Sequence, residues 1–166
     1  GDRVELAGLQ VTFDVLDVPG HTEGHIAYFG EGALFCGDTL FAGGCGRVFS
    51  GTFEQLSQSL QRIAGLPAET RVFCAHEYTL ANLGFAEWVE PDSVELQARI
   101  DRDRSLRNRQ QPTVPSILRD EVATNPFMRT GDAAVIAAAE RWAGQSLGDR
   151  DAVFRALRTW KDKDYD

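Results

Sequence analysis

The chain has 166 residues, 43% of them hydrophobic and 25% charged, with 17 basic against 25 acidic side chains for a formal net charge of −8. That length suits one domain, or one and a fraction, with enough apolar content for a buried core. The acidic balance argues against nucleic-acid binding, which calls for a basic excess or stripe. Uncharged runs are short and broken by glycine, too short to span a bilayer, and no basic stretch leads into an apolar one at the start, so no signal peptide is expected.

The cysteines Cys36, Cys45 and Cys74 are odd in number and lack CxxC spacing. This argues against a disulfide framework and for a reducing, cytoplasmic setting. Cys36 and Cys74 sit inside apolar runs and read as buried thiols. Cys45, in AGGCGR, has only Arg47 nearby in sequence to lower its pKa, so an unreactive thiol is expected there as well.

In chain order, residues 11–18 (VTFDVLDV) alternate apolar and polar side chains at period two and predict a half-buried strand stopped by Pro19-Gly20. Runs 26–29 and 33–36 flank Gly30-Glu31-Gly32, a spacer suited to a hairpin. Asp38 then opens a long glycine-rich loop, and loops of that length in compact domains tend to be functional. Residues 53–64 form the clearest helix. Thr52 caps it, Gln55 completes a capping box, Phe53, Leu56, Leu60 and Ile63 share a face, and Gly65 with Pro67 ends it. Residues 71–75 predict a second buried strand.

After His76 no further strand is expected. Residues 79–89 read as helical, and Asp92 is expected to cap a long polar helix to about residue 110, with Glu95 as capping-box partner. Its mixed charges, Arg99, Asp101, Arg102, Asp103 and Arg104, suggest a solvated, ion-paired face. Pro112 and Pro115 bracket a linker, and helices are predicted around 116–123, 132–143 and 150–161. The reading is an α/β part over 1–77 followed by an all-helical part over 78–166.

Three candidate metal ligands, His21, Asp38 and His76, each stand where a strand gives way to a loop. A rigid strand end with an open loop is where such a scaffold displays chemistry. His21 and His25 are four residues apart, but Pro19-Gly20 disfavours a helix there, so the two take different jobs. His21 is the better ligand, and His25 is more suited to orienting its neighbours. Asp38 in GDT would close a turn in any protein, yet a carboxylate can also bridge two cations. Imidazole and carboxylate together suit zinc, iron or manganese.

The runs PGHTEGHIAYF, GDTLFAGGCGRVFSGT, FCAHEYTLANLGFA, PTVPSIL and NPFMR closely resemble glyoxalase II, the hydroxyacylglutathione hydrolases of the metallo-β-lactamase superfamily. The resemblance implies the second half of an αβ/βα sandwich followed by a helical substrate-binding part. It implies a site for two divalent metal ions, zinc foremost, with iron or manganese also accepted. His21 would bind one ion, His76 the other, and Asp38 would bridge both. A metal-bound hydroxide would attack the thioester of S-D-lactoylglutathione, giving D-lactate and glutathione in methylglyoxal detoxification. Glutathione would be held by Arg47, Tyr78, Arg158 and Lys161, with Phe49 where some members carry tyrosine. Alone, Arg158 and Lys161 would be an ordinary basic helix end.

The resemblance also exposes a departure, because the family's HxHxDH ligand set occurs nowhere in the sequence. The chain corresponds to a C-terminal piece, expected to leave an apolar sheet face uncovered. Only two protein ligands would remain for each cation, fewer than a catalytic site needs. Inactivity alone is therefore expected, with association through the uncovered face or with a missing N-terminal segment. The alternatives are a mononuclear-iron persulfide dioxygenase of the same superfamily and a non-catalytic helical module with a relic half-site.

Overall fold

The computed structural model describes residues 1–165. Strands β1 (Arg3–Leu6), β2 (Val11–Asp17), β3 (Ile26–Gly30) and β4 (Ala33–Gly37) form an antiparallel meander. β7 (Arg71–Cys74) joins β4 in parallel, and β8 (Ser116–Ile117) pairs antiparallel with β7, giving the sheet order β1-β2-β3-β4-β7-β8. A separate hairpin, β5 (Leu40–Phe41) and β6 (Gly44–Cys45), lies within the glycine-rich loop. The helices are α1 (Phe53–Ala64), α2 (Thr79–Val89), α3 (Val94–Asn108), α4 (Leu118–Thr124), α5 (Ala133–Ala143) and α6 (Arg150–Trp160), which passes into a π-helical turn, Lys161–Tyr165. This is an α/β fold with a helical C-terminal part.

Helix α1 forms as its sequence requires. Thr52 Oγ1 accepts the Gln55 N–H at 3.1 Å, and Gln55 Oε1 accepts the Thr52 N–H at 2.9 Å, a complete capping box. Its apolar stripe, Leu56, Leu60 and Ile63, is fully buried against Val18, Ala27, Leu34 and Val72 on one sheet face. The same core continues without a break into the helical part, through Phe85, Phe127, Val135, Phe154 and Leu157.

The other sheet face carries Phe13, Val15, Tyr28, Phe35 and Phe73, aligned by strand register and alternation. Phe35 stacks on Phe73 at 5.0 Å and meets Phe13 edge-on at 5.7 Å. Phe35 is 42% exposed and Tyr28 37%, so the uncovered apolar face expected from the sequence is present.

Several expectations are corrected. Ser93, not Asp92, caps α3, its hydroxyl accepting the Leu96 N–H at 3.3 Å. The charged stripe of α3 is not wholly solvated. Arg99 and Asp103 are buried, because α3 packs on α4 and Arg99 reaches Glu121 and the Thr124 hydroxyl there. A strand does occur after His76, since residues 116–117 pair with β7 before α4 begins. β1 and the β5–β6 hairpin were not expected. β1 is exposed throughout and lacks the alternating burial that marks a strand.

Replacing Thr52 with alanine removes half of the α1 capping box. The expected loss is about 1 kcal/mol in urea unfolding, the usual cost of a lost N-cap. An unchanged midpoint would mean that tertiary packing alone fixes the start of α1.

Candidate active site

Because β2 and β4 each run antiparallel to β3, and β7 runs parallel to β4, the strands β2, β4 and β7 all point the same way. Their C-terminal ends share one edge of the sheet. His21 follows β2, Asp38 follows β4 and His76 follows β7, so topology delivers the three candidate ligands to that edge. All three line a cavity of about 680 Å³, which also receives Arg47, Phe49, Tyr78, Arg158 and Lys161.

Asp38 Oδ1 lies 3.4 Å from His76 Nε2. The His21 Nδ1 is 2.7 Å from the Arg47 carbonyl, which can only accept, so Nδ1 carries the proton and Nε2 keeps its lone pair. His25 does not line the cavity. Its Nε2 accepts the Asp38 backbone N–H at 3.2 Å, and its Nδ1 lies 3.4 Å from the Thr22 hydroxyl. Gly37, at φ +54°, makes room for this ring, since a Cβ there would sit 2.6 Å from His25 Nε2.

Aromatic rings frame the candidate ligands. Tyr78 stacks on His76 at 5.1 Å, Phe41 meets Tyr78 edge-on at 5.3 Å, and Phe49 meets His21 at 5.0 Å while 72% exposed. Arg158 and Lys161 are built in rather than displayed at the surface. Arg158 is 1% exposed and donates to the Cys45 carbonyl at 3.2 Å and to Asp162 Oδ1 at 2.9 Å. Its guanidinium lies 5.2 Å from the Phe127 ring centre, and Lys161 Nζ lies 5.5 Å from that of Tyr165. Arg47 Nε lies 3.4 Å from the same Asp162 oxygen.

The sequence reading missed Phe41, Asn82 and Asp162 at this site. Asn82 lines the cavity and donates to the Ala42 carbonyl at 3.1 Å. A readable signal for it existed. A glycine-rich loop has few side chains of its own, so neighbouring elements must satisfy its backbone. Cys45 is pushed up to about 11 by burial, with Arg158, rather than Arg47, as the cation that offsets it.

Residues 1–76 match the metallo-beta-lactamase superfamily, and residues 77–164 match the family described as hydroxyacylglutathione hydrolase C-terminus. The hydroxyacylglutathione hydrolase of Alkalilimnicola ehrlichii is 60% identical over 149 residues, which are 90% of this chain and 58% of that protein. That of Halorhodospira halophila is 53% identical over 98% of this chain and 63% of its own length. Among solved structures, ETHE1 from Myxococcus xanthus superposes with a TM-score of 0.56 at 26% identity, over 95% of this chain and 48% of that one. The fold and the strand-end site thus define a member of the metallo-β-lactamase superfamily. Within it, the chain belongs to the hydroxyacylglutathione hydrolase family. It spans about 60% of the length of the curated relatives it matches.

That superfamily implies divalent metal ions, and the donor set fits them in part. Asp38 with His76, and Asp38 with a His21 whose Nε2 lone pair is available, are each two ligands of the right chemistry. Among the described residues no cluster of three or more His, Cys, Asp or Glu side chains is arranged to hold a metal ion.

Burial pushes the Cys36 thiol up to about 12 and Cys45 to about 11, from an ordinary 9.0. Above pH 9 the unfolded chain releases both protons while the folded chain retains them. Stability should therefore fall as pH rises from 9 towards 11, by up to about 1.4 kcal/mol per pH unit for each thiol. Urea unfolding at pH 8 and pH 10.5, with and without Cys36→Ala, measures this. A Cys36→Ala chain with the same pH dependence would contradict it.

Proposed function

We propose that this chain carries the C-terminal part of the catalytic centre of a hydrolase that converts S-D-lactoylglutathione to D-lactate and glutathione. The observation that carries this reading is one cavity in which His21, Asp38 and His76 meet the cations Arg47, Arg158 and Lys161, the last two of them buried. Curated relatives named hydroxyacylglutathione hydrolase support it and do not favour the persulfide dioxygenase reading.

In this reading residues 1–77 bear the ligands and residues 78–166 bind glutathione. Asp38, His21 through Nε2 and His76 through its ring would hold two divalent ions, zinc foremost or else iron or manganese. When bound, such ions lower the pKa of water and polarise a carbonyl oxygen. His25 holds Asp38 by its backbone, and Arg47 fixes the His21 tautomer. The glutathione carboxylates face Arg158, Lys161 and Arg47, while Phe49 and Tyr78 flank the peptide. Water adds to the acyl carbon, the C–S bond breaks, and the thiolate takes a proton on leaving.

No helix is long and apolar enough to cross a membrane among the described residues, and a cytoplasmic location suits a glutathione substrate. Two ligands per cation hold metal poorly. The uncovered sheet face around Phe35 is where further polypeptide, in the same protein or another chain, would complete the centre.

Metal content per chain, measured on the purified 166-residue protein, is expected near zero, with no steady thioester turnover. About two equivalents with steady turnover by the monomer would show that these residues suffice. Calorimetry with S-methylglutathione, which lacks the scissile thioester, tests the binding half. Lys161→Ala should weaken it roughly tenfold, the scale of one charge-assisted hydrogen bond, and equal affinity would remove Lys161 from the site.

A further inference from the structure

The loop 40–46 is buried at every residue although three of its seven residues are glycine. Beyond the short β5–β6 pairing its backbone polar groups need partners from outside, and the helical part supplies several of them. Asn82 on α2 donates to the Ala42 carbonyl at 3.1 Å. Asn125, the residue after α4, donates to the Gly44 carbonyl at 2.9 Å and the Phe41 carbonyl at 3.4 Å. Glu121 on α4 accepts the Gly43 N–H through Oε2 at 2.9 Å.

Glu121 is the charged member of this set and is fully buried. Its Oε1 takes the Arg99 guanidinium at 2.5 Å, and its Oε2 also accepts from Asn125 Nδ2 at 3.2 Å. One carboxylate thus ties α3, α4, the Asn125 amide and the loop together. The loop ends at Arg47, whose carbonyl holds the His21 ring. Gly46 is packed so tightly there that a Cβ would lie 2.0 Å from the Asp38 carbonyl oxygen and 3.0 Å from His21 Nδ1. Movement of the loop is therefore transmitted to a candidate metal ligand.

We infer that Glu121 is a positioning residue of the site: from within the helical part, its carboxylate fixes the loop that sets the His21 tautomer and places Arg47. This deepens the functional reading above and rests on it for the meaning of the cavity. The coupling itself is tested without any ligand. Glu121→Gln keeps the shape but removes the charge that Arg99 and the Gly43 N–H share. Asp103→Asn weakens the same buried network on the α3 side and touches no loop atom, so it serves as the control for a purely structural effect.

Two signals are read on the full chain at pH 8, the imidazole ¹⁵N shifts of His21 and the hydrogen exchange of the Gly43 amide. Glu121→Gln should move His21 from the Nδ1–H tautomer towards a mixture and speed Gly43 exchange by about tenfold or more relative to α1 amides. Asp103→Asn should leave both within about twofold of the parent. If Gln prevents folding, Glu121→Asp retains the charge for Arg99, gives up reach to the loop, and should produce the same two changes. A folded Glu121 variant with unaltered His21 shifts and Gly43 exchange overturns the inference, as does an equal response in Asp103→Asn. S-methylglutathione affinity is measured in parallel. Failure of the parent chain to bind would count against the substrate reading alone, because the ring and amide signals decide the role of Glu121.

Discussion

A buried loop made largely of glycine and small side chains is held by more than its own two-residue hairpin, and the site depends on how its remaining backbone groups are paired. Residues 40–46 connect Asp38 to Arg47, and between Phe41 and Cys45 only Ala42 carries a side chain. Each amide left unpaired in such a place costs about 1–3 kcal/mol. Glu121, Asn125 and Asn82 meet the need from three points on the helices. The helical part is therefore more than an arm laid beside a finished sheet. It completes the wall of the cavity, and the shared core through Phe127 and Phe154 makes the two parts one packing unit.

The electrostatics follow a similar logic. An acidic chain of net charge −8 would repel an anionic ligand, so attraction must be local. Arg158 and Lys161 are both buried, and a buried cation survives only if paired. Asp162 takes Arg158 directly and lies beside Arg47, while aromatic faces add about 0.5–2 kcal/mol each. Burial of this kind fixes where the cations point before any ligand arrives, which cuts the ordering cost of binding. A basic end of an exposed helix would offer the same charge without that fixed geometry.

How much of this was legible in the sequence depended on whether a signal was local. The capping box at Thr52, the apolar stripe of α1 and the strand-to-loop positions of His21, Asp38 and His76 are written in neighbouring residues and emerge as read. The hairpin at Gly30-Glu31-Gly32 does too, with φ of +51° and +67° at Glu31 and Gly32 matching a tight primed turn. What was illegible is non-local. Arg99 and Asp103 looked like part of a solvated stripe because their spacing carries no trace of Glu121, which lies on another helix. β8 is two residues long, and its partner is 46 positions back along the chain, at the Arg71–Ile117 pairing. Asp162 is an ordinary acidic residue until α6 brings it between Arg47 and Arg158.

The two histidines of the PGHTEGH run show how backbone geometry assigns roles that spacing alone leaves open. Their rings meet edge-on with centres 5.5 Å apart, yet their hydrogen bonds demand opposite tautomers. His21 faces a carbonyl and must donate from Nδ1, which leaves the lone pair on Nε2. His25 faces the Asp38 N–H and must accept at Nε2, which leaves Nδ1 to donate to the Thr22 hydroxyl. A ring whose Nε2 is already committed to a backbone amide has no lone pair left for a metal, while a ring anchored at Nδ1 does. The difference is set by what faces each ring, a carbonyl at the end of a loop pinned by helices in one case and the first amide after a strand in the other. Candidate ligand and support are thereby separated within five residues, and the support acts on the backbone of Asp38.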